Sequence, residues 1–219
     1  MSDYIAGVDE SGKGDYFGPL VIAAAAVGDL EKPILMDLYV RDSKKMTDSR
    51  ILTVARTIKE QVPHDLVVVM PDRYNDLYQK IGNLNKLLAW GHARAIENLL
   101  GKVECATVIS DQFANANVLE RALMEKGRKV ELIQQVRGES ELAVATASVL
   151  ARAEFLIAMD RLSREFDLTL PKGGGSLVDT AGVKFIRKHG VEAMRRVAKL
   201  HFKNTMKINE QLERTTKSN

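Results

Sequence analysis

An α/β chain built on a mixed five-stranded sheet flanked by helices, with a helical C-terminal part, is the fold class this sequence predicts. Three observations predict it: five short runs rich in β-branched residues, apolar residues at helical spacing between them, and an order in which two strands precede a strand–helix alternation. The 219 residues, 45% apolar and 28% charged, have the balance of an ordinary folded protein and exclude wholesale disorder and collagen-like or disulfide-scaffold classes. A single domain over residues 1–219 is expected, with 205–219 as a C-terminal helix or tail.

Tyr4-Ile5-Ala6-Gly7-Val8-Asp9 reads as a buried strand ending in acid, and residues 19–27, with four consecutive alanines, as a second strand. A Gly-rich turn separates them, so the two are expected to form an antiparallel hairpin. Residues 65–70, 106–110 and 129–136 are the third, fourth and fifth strands. Residues 84–100 carry Leu84, Leu87, Leu88, Ala95 and Leu99 at helical spacing, residues 115–126 repeat the pattern more weakly, and residues 142–166 are long enough for a central packed helix. Helices fill the remaining gaps, and later strands joined by crossovers are expected to be parallel. Lys172-Gly173-Gly174-Gly175-Ser176 reads as a mobile loop and 213–219 as a fraying end. Trp90 is expected to be a core anchor rather than a stacking platform. His92 and His201 have no ligand-spaced partners, so hydrogen bonding in the core or at the surface is expected.

The net charge of +3 permits a polyanionic partner without demanding one. The single Cys105 can form neither an internal disulfide nor a zinc cluster, and its apolar neighbours predict a buried thiol in a reducing compartment. Acidic Asp9 and Glu10 precede the apolar stretch 17–27, the reverse of a signal peptide. That stretch is also shorter than the roughly 20 residues of a membrane helix. A cytoplasmic monomer with no membrane partner is the expectation.

The chemistry is expected where acids follow strands: Asp9-Glu10 after the first, Asp111 after the fourth, Glu139 after the fifth. Carboxylates gathered there repel and raise one another's pKa unless a cation compensates them. Hard oxygen ligands suit Mg²⁺ or Mn²⁺, and two such ions can activate water and stabilise a leaving oxygen in phosphodiester hydrolysis. An acid at a strand end is also a common helix cap or turn residue. Pattern alone leaves both readings open.

Gly7-Val8-Asp9-Glu10-Ser11-Gly12-Lys13 satisfies seven positions of a phosphate-binding P-loop, but Gly14 replaces the required Ser or Thr and an extended run follows instead of a helix. Gly12-Lys13-Gly14 has a better use: the glycines let backbone approach a ligand and Lys13 supplies a phosphate-pairing cation. A plain turn with a surface lysine fits the same spacing.

The run Asp9-Glu10-Ser11-Gly12-Lys13-Gly14-Asp15-Tyr16-Phe17-Gly18-Pro19-Leu20 resembles the signature of ribonuclease HIII, a branch of the type 2 ribonucleases H. The resemblance continues through Asp42-Ser43-Lys44-Lys45, residues 83–93, residues 142–152, Leu170-Pro171-Lys172-Gly173 and residues 200–205. It implies a ribonuclease H-like fold and endonucleolytic cleavage of the RNA strand of an RNA–DNA hybrid, giving 5′-phosphate and 3′-hydroxyl ends. It implies Asp9, Glu10, Asp111 and Glu139 as catalytic residues holding two Mg²⁺ or Mn²⁺ ions. The register at the fourth acid is one residue short of the family's, so Glu141 is the alternative. The resemblance makes Gly12, Lys13 and Gly14 the readers of the 2′-hydroxyl, with Asn85, Ser148, Arg152 and Lys172 as further substrate contacts. Typical members carry an N-terminal substrate-binding domain, which the opening of this chain on the catalytic strand leads us to expect is missing, with weaker, salt-sensitive hybrid binding as the result. Rival readings are a nucleic-acid-binding module of the same fold without catalysis and a nuclease acting on structured DNA.

Overall fold

In the computed structural model, which describes residues 4–113, 116–136 and 138–217, the first two strands, β1 (Tyr4–Ser11) and β2 (Leu20–Val27), pair antiparallel from Ile5↔Val27 to Ser11↔Val21. Between and after the later strands the chain runs α1 (Glu31–Asp37), α2 (Asp48–Gln61), β3 (His64–Val69), α3 (Pro71–Ile81), α4 (Leu84–Leu99), β4 (Cys105–Asp111), α5 (Ala116–Ala122), β5 (Glu131–Gln135), α6 (Leu142–Glu165), α7 (Ser176–His189) and α8 (Lys203–Lys217). The sheet order is β3-β2-β1-β4-β5, with β1–β4 and β4–β5 parallel. This is the mixed five-stranded sheet with flanking helices that the pattern predicts.

Residue contacts divide the described chain into two compact units, one from 4–11, 21–68 and 81–154, the other from 12–20, 69–80 and 155–217. In the first unit residues 21–27 of β2 are all buried. Its alanines thin the sheet so that helices come close, and the glycines mark where. A Cβ on Gly7 of β1 would overlap the backbone of Ala143 and Val144 at the start of α6, and one on Gly91 of α4 would stand 2.6 Å from Ile22 Cδ1 of β2. At Gly7 the neighbour is backbone with no side chain to yield, whereas at Gly91 it is the end of the Ile22 side chain. Capping starts the helices sharply: Thr47 accepts from the Arg50 N–H at α2, and Asn83 accepts from the Lys86 N–H at α4. Among the described helices only α6 is long and apolar enough to cross a membrane, and 67% of that stretch is buried within the fold.

In the second unit α7 and α8 pack through Gly182, where a Cβ would stand 2.9 Å from Ile208 Cγ1. Segment 172–176 differs from the mobile loop expected of it. The Tyr16 N–H donates to Gly173 O at 2.9 Å, the Gly173 N–H to Asp15 Oδ1 at 2.6 Å, and Asn204 Nδ2 to Gly174 O at 3.0 Å. Its glycines serve a fixed turn, Gly173 having φ +87°. At the C-terminus α8 continues through Lys217, so the expected fraying from 213 is not seen up to there; residues 218–219 lie outside the described residues. Trp90 is only partly buried and is no core anchor.

Candidate active site

Parallel pairing of β1 with β4 reaches Val8↔Ser110, and the next residue of each strand is Asp9 and Asp111. Glu10 follows Asp9 on β1 while that strand still pairs with β2 through Glu10↔Ile22. Pairing of β4 with β5 ends at Asp111↔Gln135, and the chain then turns back so that the Gly138 N–H donates to Asp111 Oδ1 at 2.9 Å. A Cβ on Gly138 would stand 3.0 Å from Asp111 Cα, so the turn Gly138–Ser140 sits directly on the tip of β4. The Glu139 backbone belongs to that turn; its side chain lies outside the described residues. Glu141 instead lines a recess of about 180 Å³ with Ile5, Val27, Met36 and Arg41. Ile5 precedes Asp9 by four strand residues, roughly 13 Å.

Asp9 is held in a strained electrostatic setting. Burial, and then the charge of Glu10, push its carboxyl up to about 7, against hydrogen bonds from Ser148 and the Glu10 N–H and the influence of His92. The Glu10 N–H reaches Asp9 Oδ1 at 2.8 Å. Such a group favours either a proton or a cation beside it. Among the described residues, no three His, Cys, Asp or Glu side chains are grouped closely enough to hold a metal ion by themselves. The oxygens of Asp9, Glu10 and Asp111 are nonetheless the donor type that Mg²⁺ and Mn²⁺ take, and the excess negative charge at Asp9 is what a divalent cation would offset.

The pattern did not single out what holds Glu10. His92 is fully buried, its Nε2–H donates to Glu10 Oε2 at 3.0 Å, and its Nδ1 lies 3.4 Å from Ser110 Oγ. Ser110 is also fully buried, and its hydroxyl donates to Asp111 O at 3.0 Å. Gly91 explains the placement: it seats α4 on Ile22, the cross-strand partner of Glu10, and the next residue then meets Glu10. A core hydrogen bond for His92 was expected, but its partner was not. A signal existed, since among the buried residues of α4 His92 alone is polar and shares the face of Leu88, Ala95, Ile96 and Leu99.

The other expected substrate contacts fall in both units. Ser148 is bound to Asp9. Arg152 donates to Ser43 O at 2.9 Å, Met46 O at 3.1 Å and Asp48 Oδ1 at 2.9 Å, holding the turn before α2. Asn85 is exposed in the first turn of α4. In the second unit, Gly12 has φ +84° and lies under Pro19 O and the Phe155 ring, Lys13 is partly buried, and Gly14 and Lys172 are exposed. His201 is exposed and stacks on Tyr78 with ring centroids 4.0 Å apart.

The sequence profile of the ribonuclease HII family matches residues 6–205. Among curated relatives, ribonuclease HIII of Protochlamydia amoebophila is 46% identical over 197 residues, 90% of this chain and 65% of that protein. Ribonuclease HIII of Chlamydia felis is 43% identical over 207 residues, 92% of this chain and 68% of that protein. The chain thus spans about two thirds of the length of these relatives. Among solved structures, Bst-RNase HIII in complex with Mn²⁺ superposes with a TM-score of 0.90 at 35% identity, covering 97% of this chain and 71% of that one.

Proposed function

This chain belongs to the ribonuclease HII family, in its ribonuclease HIII branch, and from that premise we propose that it is an endoribonuclease hydrolysing the RNA strand of RNA–DNA hybrids to 5′-phosphate and 3′-hydroxyl ends. The observation that carries this reading is the placing of Asp9-Glu10 and Asp111 on neighbouring parallel strands, each just beyond the pair Val8↔Ser110, with Asp9 pushed up to about 7 by burial and by Glu10. Asp9, Glu10, Asp111 and Glu139 would hold Mg²⁺ or Mn²⁺, the latter present in the similar Bst-RNase HIII structure. Bound there, the ions would supply an activated water and charge neutralisation at the departing 3′-oxygen.

The chain's own residues do the positioning. Ser148 and the Glu10 N–H aim the Asp9 carboxylate, and His92 fixes one oxygen of Glu10. The Gly138 N–H holds one oxygen of Asp111, and the other would serve the ion. Glu139 is preferred to Glu141 as the fourth acid, because its turn is bonded to Asp111 while Glu141 lies in the recess beside Ile5. Choice of RNA over DNA rests on the 2′-hydroxyl, for which Gly12, Lys13 and Gly14 are the assigned contacts, with Asn85 and Lys172 on phosphate or sugar. A monomer in the reducing cytoplasm completes the reading.

The test is an end-labelled RNA–DNA hybrid beside the matching DNA duplex, with Mg²⁺, Mn²⁺ or EDTA. Cleavage of the hybrid alone, dependent on metal and abolished by Asp9→Asn and Glu139→Gln but not Glu141→Gln, is the expected outcome. An uncut but bound hybrid at every metal concentration would leave a binding module instead.

A further inference from the structure

Lys199 is the most unusual buried group in the second unit. Its side chain is fully buried, and among the described residues no carboxylate is bonded to it. Its Nζ donates to three backbone carbonyls, Asp15 O at 2.6 Å, Gly18 O at 2.7 Å and Phe17 O at 3.4 Å. An ammonium has three protons to give, and all three are used. All three acceptors belong to one short segment, the one that begins Gly12-Lys13-Gly14.

Residues 197–199 make further ties to the same segment. The Lys199 N–H donates to Tyr16 O at 2.8 Å, the Gly18 N–H donates to Val197 O at 2.8 Å, and Phe17 and Ala198 form an isolated antiparallel bridge. Tyr16 Oη lies 3.1 Å from Thr205 Oγ1. The segment needs such ties because its glycines leave it little rigidity of its own: Gly12 and Gly18 both have positive φ. Burying an ammonium without a counter-ion is costly, and burial pushes Lys199 down to about 7 although Asp15 pulls the other way. A methionine would fill the same space without the charge, but it would leave the carbonyls of Asp15, Phe17 and Gly18 without their donor, so what the lysine supplies here is the hold on that segment.

We propose that Lys199 is a positioning residue that sets the backbone of the Gly12-Lys13-Gly14 segment for recognition of the ribose-bearing strand, acting through the carbonyls of Asp15, Phe17 and Gly18. The inference rests on the proposed hybrid substrate for its functional consequence, but its structural half stands apart from it. The carbonyls that Lys199 holds all belong to the Gly12-Lys13-Gly14 segment and its continuation, so its contribution falls on substrate binding and strand discrimination rather than on the chemical step.

The experiment compares wild type with Lys199→Met and Lys199→Gln, the second keeping a side-chain amide donor. Amide hydrogen exchange is followed at Tyr16 and Gly18, and KM and kcat are measured on the RNA–DNA hybrid. Lys199→Met is expected to speed exchange at both amides by about tenfold or more while β1 amides keep their protection. It is expected to raise KM about fivefold or more with kcat within about twofold. Lys199→Gln is expected to recover part of both effects, and it carries both readouts if Lys199→Met does not fold. Unchanged exchange at Tyr16 and Gly18 would overturn the proposal, as would equal losses in kcat and kcat/KM. A wild-type protein that leaves the hybrid uncut would refute the hybrid-cleaving reading and, with it, the recognition role; the exchange data would then still decide whether Lys199 holds the segment.

Discussion

Replacing Gly7 by alanine tests how the site is built from below. Gly7 lies mid-strand with no positive φ, so an alanine is conformationally acceptable there and would even gain about 0.4–1 kcal/mol by restricting the unfolded chain. The new methyl, however, would overlap the Ala143 carbonyl carbon and the Val144 nitrogen and stand 2.5 Å from Ala143 O. Ordinary contact needs nearly 1 Å more, and both sides are backbone, so no rotamer change relieves the clash. Overpacking of this kind costs about 1–3 kcal/mol, with this case at the upper end. After the entropic gain, about 2 kcal/mol of destabilisation remains, and at about 2–4 °C per kcal/mol for a chain of this size Tm should fall by about 4–8 °C. Because α6 also delivers Ser148 to Asp9, hybrid cleavage should fall as well. Gly14→Ala is the control: nothing lies within 4 Å of its Cβ position, so stability should stay within about 0.5 kcal/mol of wild type. Thermal and urea unfolding followed by circular dichroism measure both. A Gly7→Ala protein melting within a degree of wild type would refute the close approach of α6 to β1.

Three further outcomes follow from the same geometry. Asp9 has its carboxyl raised in the folded state, so above pH 4 the unfolded chain loses that proton more readily and the native fold is penalised increasingly up to about pH 7. In EDTA at pH 8, Asp9→Asn should therefore be more stable than wild type by on the order of 2–4 kcal/mol, and Mn²⁺ should raise the Tm of wild type but not of the variant in differential scanning calorimetry. Burial pushes the Cys105 thiol up to about 11, so at pH 8 its thiolate fraction is about a hundredfold below that of a thiol titrating near 9, and iodoacetamide should label it correspondingly slowly until the protein is unfolded. Arg152→Ala strips donors from Ser43 O and Met46 O as well as a half-exposed ion pair with Asp48, and should lower the urea midpoint by about 2 kcal/mol equivalent without changing the slope.

Local chemistry made much of the fold legible. Apolar β-branched runs favour strands, buried in β2 and half-exposed in β3 and β5, the period of α4 favours a half-buried helix, and an Asp-Glu pair at a strand end marks a place where charge must be compensated. Boundaries moved by a residue or two, as when β1 continued through Ser11 rather than stopping at Asp9. The glycine run at 173–175 misled because glycine signals conformational freedom in the abstract, while the hydrogen bonds to Tyr16, Asp15 and Asn204 that remove that freedom come from residues far away in the chain.

The sequence by itself therefore determined the alternation of elements and the family, since each depends on neighbouring residues or on a contiguous motif. Only the tertiary structure decided that His92 grips Glu10, that Gly138 grips Asp111 and that Lys199 gathers three carbonyls. Those partners are 82, 27 and more than 180 residues apart, and a polar side chain's role depends on what it meets once buried, which no local pattern encodes.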